Sequence, residues 1–237
     1  MVRENMTGVS ESAVAQRLAA VRDRVAAAAR AAGRDPAGVR IIGVSKRQPV
    51  AAVRAARAAG LEDFGENFLQ EALGKMDALG PGAARWHFIG ALQSNKTAAV
   101  AERFDWVHSV DREKLAERLS RQRPAGLPPL NVCVQVHLGD EPSKSGVAPE
   151  AAAALARRVA GLPGLRLRGL MAVPPPETDP ARQRAWCRQL ASLQAELVAG
   201  GLALDTLSMG MSDDLEAAVA EGATVVRIGT AIFGPRS

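Results

Sequence analysis

A lone lysine, Lys46, closes the apolar run in "IIGVSKRQPV". A lysine amine condenses with aldehydes to give a Schiff base, and partial burial lowers its pKa and exposes the nucleophile. Far along the chain, "TVVRIGTAIFG" sets Gly229 and Thr230 behind an apolar run of Val225, Val226 and Ile228. Glycine followed by exposed N–H groups at a helix start makes an anion cradle, and the threonine adds a hydroxyl. Shortly before it, "LSMGMSDDLEAA" brings Ser208 and Gly210 to another strand end. Ser212 is expected to cap the next helix, with Asp213 and Asp214 in its first turn. Those carboxylates would repel a phosphate lying on that helix. The anion pocket is therefore assigned to Ser208, Gly210, Gly229 and Thr230, and the aspartates to capping. Taken singly, "VSK" also fits a surface lysine, and "RIGT" an ordinary glycine turn.

An amine at position 46 and a pocket at 208–230 act together only if the fold joins them. Short β-prone runs lie at 39–46, 61–67, 86–90, 106–110, 131–138, 166–173, 205–211 and 224–234. Helical runs fall near 49–59, 68–79, 94–103, 111–122, 149–161, 178–200 and 212–222, and a leading helix over 10–33 would be capped by Ser10 or Ser12 and ended by Gly33. Alternating β and α units predict parallel strands, and eight of them in 237 residues predict one (β/α)8 TIM-barrel domain over 1–237 with an extra N-terminal helix. An open doubly wound sheet is the competing arrangement. The polar and glycine-bearing stretches "VSK", "FGEN", "SMGMS" and "RIGT" all follow strands. In a barrel they share one rim, the rim that carries active sites.

Arg227 sits inside the last strand. Arginine keeps its proton, so it can donate to a pyridine nitrogen without protonating it; a structural salt bridge is the other reading. Asn67, His87 and Gln93 are placed on or near the same rim, where each could touch a ligand or pair with backbone. Glu66 is expected to pair with Lys46 or another rim cation. His108 and His137 show no carboxylate–histidine or metal spacing and are assigned to core or rim.

Net charge is +5, from 30 basic and 25 acidic residues of interleaved sign, and aromatics make up only 3% of the chain. Stacking platforms for bases are therefore scarce, and nucleic-acid binding is not expected. Cys133 and Cys187 match no metal spacing and fit buried free thiols in a reducing cytoplasm. The opening "MVRENMTGVSESAV" is too polar for a signal peptide, and no segment has about 20 apolar residues to span a membrane.

With "VSK", "FGENFLQE", "WHFIGALQSNK", "SKSG", "RLRGLMAVPPPE" and "LSMGMSDDLEAAVAEGATVVRIGTAIFG" assembled, the chain closely resembles the pyridoxal phosphate homeostasis proteins, the YggS/PROSC family, from about 40 to 234. The resemblance implies a barrel like that of alanine racemase, standing alone, with pyridoxal 5′-phosphate (PLP) on Lys46. It implies a phosphate held by Ser208, Gly210, Gly229 and Thr230, the Met209 backbone nearby, and Arg227 facing the pyridine nitrogen. Asn67 is counted with this set. The implied role is a carrier or regulator of vitamin B6, with apo-PLP enzymes as recipients. Alanine racemase adds a second domain and a tyrosine base, whereas this chain has no tyrosine and stops at Ser237. A carrier is therefore expected over a racemase or lyase, although Cys133 or His137 could replace the tyrosine. A Schiff-base aldolase on a phosphosugar is the third alternative. A monomer is expected, and Lys144 is a possible second attachment point.

Overall fold

The computed structural model describes residues 10–139 and 145–235; Lys144 lies outside them. Eight parallel strands close in chain order. They are β1 (Arg40–Val44), β2 (Asp63–Glu66), β3 (Arg85–Phe88), β4 (Trp106–Val110), β5 (Leu130–Gln135), β6 (Leu165–Met171), β7 (Thr206–Ser208) and β8 (Val225–Ile228). Helix α1 (Glu11–Ala31) leads. The helices between strands are α2 (Val50–Ala58), α3 (Leu69–Leu79), α4 (Thr97–Arg103), α5 (Glu113–Gln122), α6 (Pro149–Ala160), α7 (Pro180–Ala199) and α8 (Leu215–Ala220), and α9 (Thr230–Phe233) follows β8. This is the expected (β/α)8 barrel with a leading helix.

Barrel strands are covered on both faces, so they read as near-continuous apolar runs. β4 is buried at every position. The α1 sequence puts Val14, Leu18, Val21, Val25 and Ala29 on one buried stripe, and Ser10 Oγ caps it by accepting from Ala13 N at 3.3 Å. Its polar side braces the seam between the first and last units. Arg22 donates to the carbonyls of Ala59 and Gly60, Arg24 pairs with Glu216, and Arg34 donates to the carbonyls of Val219 and Ala223.

Two sequence expectations shift. The run 224–234 is not one strand, because β8 stops at Ile228 and the chain turns at Gly229 into α9. Ser212 does not cap α8, which starts only at Leu215 with no side-chain cap. Arg24 holds the Ser212 carbonyl at 2.9 Å, and Asp214 Oδ1 accepts from Met211 N at 2.5 Å, so residues 211–214 form a turn instead.

The main apolar core lies between strands and helices. A smaller cluster of Trp106, Cys133 and Met171 is separate from it. Arg40 and Arg168 lie over the Trp106 ring, 5.6 and 4.9 Å from its centroid. The neighbouring interior positions are polar. His108 of β4 bonds Ser208 of β7 at 2.8 Å. Those strands are not neighbours, so this bond crosses the barrel interior.

Gly169 of β6 sets how closely β7 can approach. A Cβ there would fall 1.8 Å from the Thr206 carbonyl oxygen and 2.7 Å from Gln194 Oε1, which accepts from Leu170 N. Gly169→Ala is expected to destabilise the protein by about 3 kcal/mol or more in urea unfolding, because backbone has to move. Parental stability in that variant would show that β6 and β7 are not packed this closely.

Candidate functional site

β1 and β8 pair in register, Gly43 opposite Ile228. A Cβ on Gly229 would stand 3.5 Å from the Val44 carbonyl oxygen. The segments leading to Lys46 and to Thr230 therefore leave the barrel side by side. On the other flank of β8, Met209 N donates to Val225 O at 3.1 Å and Arg227 N to Gly210 O at 2.9 Å. Gly210 has φ +94°, and a Cβ there would press on Ala218 Cβ at 2.6 Å, so only glycine suits this turn. Gly229 is half-buried and Thr230 exposed at the start of α9. Asn67 follows β2, and its backbone is so close to Gly90 that a Cβ there would fall 2.4 Å from the Asn67 carbonyl oxygen. Asn67 Oδ1 is buried without a hydrogen-bond partner. Such an oxygen is costly in a folded chain and is suited to a donor brought by a ligand.

Lys46 occupies a tight turn in which Gln48 N donates to Ser45 O at 3.0 Å. Arg47 is the one described non-glycine residue at positive φ, +59°. This left-handed conformation is unfavourable for a side-chain-bearing residue by roughly 1–2 kcal/mol, so the surroundings must enforce it. They do so through α3. Lys75, a residue 3% exposed, donates through Nζ at 2.6 Å to Ser45 O, to Glu66 Oε1 and to Glu71 Oε1. Glu71 Oε1 also accepts from Arg47 N at 2.5 Å, and Ser45 Oγ donates to Glu66 Oε1 at 2.6 Å. One buried ion cluster thus grips the backbone on both sides of Lys46. Burial pushes the Glu66 carboxyl up, and Lys75 opposes that shift. The cation that meets Glu66 is Lys75, which no motif in the sequence marks.

Under the mouth runs a chain of side chains. Arg227 Nη1 donates to Ser208 O at 2.6 Å and to Ser208 Oγ at 2.7 Å, and Nη2 donates to Ala172 O at 2.7 Å. Ser208 Oγ meets His108 Nδ1 at 2.8 Å; His108 Nε2 meets His87 Nδ1 at 2.9 Å; His87 Nε2 meets Asp63 Oδ1 at 2.9 Å. The Ser208 hydroxyl, expected in the anion pocket, is engaged between His108 and Arg227. His87, expected on or near the rim, is fully buried in the interior, because the β3 register turns it toward Asp63 and His108. A carboxylate–histidine pair does exist, but its members come from different strands. Its trace in the sequence is a polar residue within each of three buried runs, Asp63, His87 and His108. Gln93 is exposed, and His137 is half-buried beyond β5.

Burial pushes both imidazoles down, His108 well below the usual value, with the charges of His87, Arg227 and Arg40 adding to the effect. Burial alone would raise Asp63, but bonds from His87 and Arg85 hold its carboxyl well below the usual range. Burial lowers the Arg227 guanidinium to about 10, so it stays charged at neutral pH. Burial raises both thiols, Cys133 and Cys187, to about 12. Among the described residues no His/Cys/Asp/Glu group could hold a metal ion, and no helix is long and apolar enough to cross a membrane.

Fold and site define a class, a barrel of alanine-racemase type with a clamped lysine turn and glycine-bearing loops at one mouth. The chain matches the family described as alanine racemase, N-terminal domain, over residues 16–237. It is 62% identical to the pyridoxal phosphate homeostasis protein of Pseudomonas aeruginosa, over 95% of this chain and 96% of that protein. The protein of the same name from Escherichia coli is 52% identical over 94% and 97%. PipY of Synechococcus elongatus, solved with PLP bound, superposes with a TM-score of 0.83 at 40% identity, over 93% of this chain and 100% of that one. Alanine racemase of Corynebacterium glutamicum, at 16% identity and a TM-score of 0.72 over 96% of this chain and 62% of its own, shares the fold. The chain belongs to the pyridoxal phosphate homeostasis protein family.

Two stability measurements test the site. Lys75→Met should cost about 3–5 kcal/mol in urea unfolding, since it leaves buried carboxylates without their cation. Adding Glu66→Gln should recover part of that loss, because the two changes are coupled. The histidines set an acid limb. Their folded pKa values lie below the unfolded value of about 6.5, so the unfolded chain binds more protons as pH falls below it. Stability should be full above that pH and should decline below it by up to about 1.4 kcal/mol per pH unit for each histidine. Urea midpoints between pH 7 and 5 would read this slope, and His108→Gln should remove one proton's share.

Proposed function

We propose that this chain holds pyridoxal 5′-phosphate as a Schiff base on Lys46 and serves vitamin B6 homeostasis, passing PLP to apo-enzymes without turnover of its own. The observation that carries the reading is the pairing of β1 with β8, which sets the Lys46 turn beside Gly229. An amine and an anion cradle from opposite ends of the chain then share one mouth. Bound PLP would supply an aldehyde for reversible amine capture and a pyridine ring able to draw electron density.

In this reading the backbone N–H groups of Gly210, Gly229 and Thr230 take the phosphate and the Thr230 hydroxyl adds to them, while the Met209 N–H, given to Val225 O at 3.1 Å, fixes the turn alongside. Arg227 faces the ring nitrogen. A guanidinium has five N–H donors, and the bonds to Ser208 and Ala172 leave two of them for a ligand. Ser208 contributes at one remove, by holding Arg227. Asn67 Oδ1 accepts from a donor on the ligand. The arginine donates to a ring nitrogen but keeps its proton, which leaves the ring a weaker electron sink than an aspartate partner would. The absence of tyrosine and the high thiol pKa of Cys133, about 12, support a carrier over a two-base racemase. The same reading puts the protein in the cytoplasm as a monomer.

The purified protein should show a visible chromophore that borohydride reduction fixes to Lys46, as mapped by mass spectrometry. Lys46→Ala should lose the band. A chromophore fixed at another lysine, Lys144 included, or none after incubation with PLP, would overturn the assignment. Solvent deuterium entering Cα of any amino acid in a broad panel would move the protein to the PLP-dependent racemases or lyases.

A further inference from the structure

The interior chain from Asp63 to Arg227 has a direction that the donor inventory fixes. Arginine only donates. Ser208 Oγ, 2.7 Å from Arg227 Nη1, therefore accepts there, and its own hydrogen is left to give to His108 Nδ1 at 2.8 Å. With Nδ1 bare, a neutral His108 carries its proton on Nε2 and donates to His87 Nδ1 at 2.9 Å. His87 in turn carries its proton on Nε2 and donates to Asp63 Oδ1 at 2.9 Å. Starting from the other end gives the same answer, because the Asp63 carboxylate only accepts. It is anchored by two bonds from Arg85, each 2.9 Å, with Arg40 at 4.0 Å.

We propose that Asp63, His87, His108 and Ser208 are positioning residues, a one-way hydrogen-bond line that aims Arg227 at its ligand from the opposite rim of the barrel. The line does not conduct protons. Reversing it would set a bare His87 Nε2 against the Asp63 carboxylate 2.9 Å away, two acceptors with no hydrogen between them. A second proton on His108 would point Nδ1–H at Ser208 Oγ and leave the serine hydrogen without an acceptor. The charged groups facing the rings act on the same balance. Arg227 and Arg40 oppose a cation on His108, Arg40 opposes one on His87, and Asp63 and Asp105 favour one on His87. Trp106 stacks on His87, centroids 5.5 Å apart and planes 19° apart, so the ring is confined to one plane.

The proposal takes its ligand from the PLP reading, but its first test needs no PLP. The chain has three histidines, so long-range 1H–15N correlation on labelled protein, with His137→Gln for assignment, resolves both rings. His87 and His108 should be neutral Nε2–H tautomers at every pH from 8 to 5. An Nδ1–H tautomer, or titration of either ring in that range, overturns the proposal. The second test uses PLP-loaded protein. Asp63→Asn keeps an acceptor for His87 and should leave the visible band and PLP affinity near those of the parent. Asp63→Leu removes it and should shift the band and weaken PLP about tenfold. A folded Asp63→Leu protein with parental band and affinity would show that the line does not reach Arg227. The tautomer measurement on the unsubstituted chain decides the matter if that variant does not fold. Failure of the parent chain to bind PLP counts against the functional reading and leaves the tautomer test standing.

Discussion

A guanidinium enclosed in a barrel can only give hydrogen bonds, and every neighbour of Arg227 has to take them. That constraint accounts for the composition of the interior. TIM-barrel interiors are usually filled by branched aliphatic side chains. Here β2, β3, β4 and β7 place Asp63, His87, His108 and Ser208 inside, at heights that let each touch the next. Burying a charge without partners is prohibitive, so the guanidinium needs the oxygens of Ser208 and Ala172, and the Asp63 carboxylate needs its bonds from His87 and Arg85. The stability of the fold then rests on the apolar layer between strands and helices, which carries almost the whole buried hydrophobic core. The interior is left to specify geometry.

The amine end of the site is built on separate principles. Lys46 is placed by backbone, through a turn with a residue at positive φ, and that turn is held by one lysine and two carboxylates, with no arginine or histidine among them. The two arrangements meet only where β1 pairs with β8. Closure of the barrel is therefore what couples the amine to the pocket, and an open sheet with the same strands would leave them at opposite edges. The arginines of α1 brace that seam, which gives the leading helix a structural reason to exist.

The repeat of apolar runs and helical periods was enough to give the barrel, because strand and helix patterns are local. The mouth was legible for the same reason: glycine and polar residues after strands fall on one rim by topology alone. The interior line was not, because Asp63, His87 and His108 share no local spacing and meet only through strand register. Lys75 was illegible for a related reason. Its i,i+4 partner Glu71 suggests a surface pair, and only the fold buries it against Ser45 and Glu66. The bonds of the Ser208 hydroxyl to His108 and Arg227 were not legible because a strand end does not reveal which way its last side chain turns. Ser212 was misassigned because a long-range bond from Arg24 competes with the local helix cap.

Holding an aldehyde and processing its adducts make different demands on the same mouth. A catalyst of Cα chemistry needs an acid or base beside the adduct, poised to move a proton near neutral pH. The groups beneath this mouth run the other way. Arg227 is a fixed cation with no proton to transfer, burial pushes both imidazoles behind it down, and the enclosed thiol of Cys133 is pushed up to about 12. In the proposed carrier, each of these features would limit proton transfer while leaving capture of an aldehyde by Lys46 reversible. A site organised to bind without activating is what a store of a reactive vitamer requires, since a free aldehyde would otherwise condense with any exposed amine.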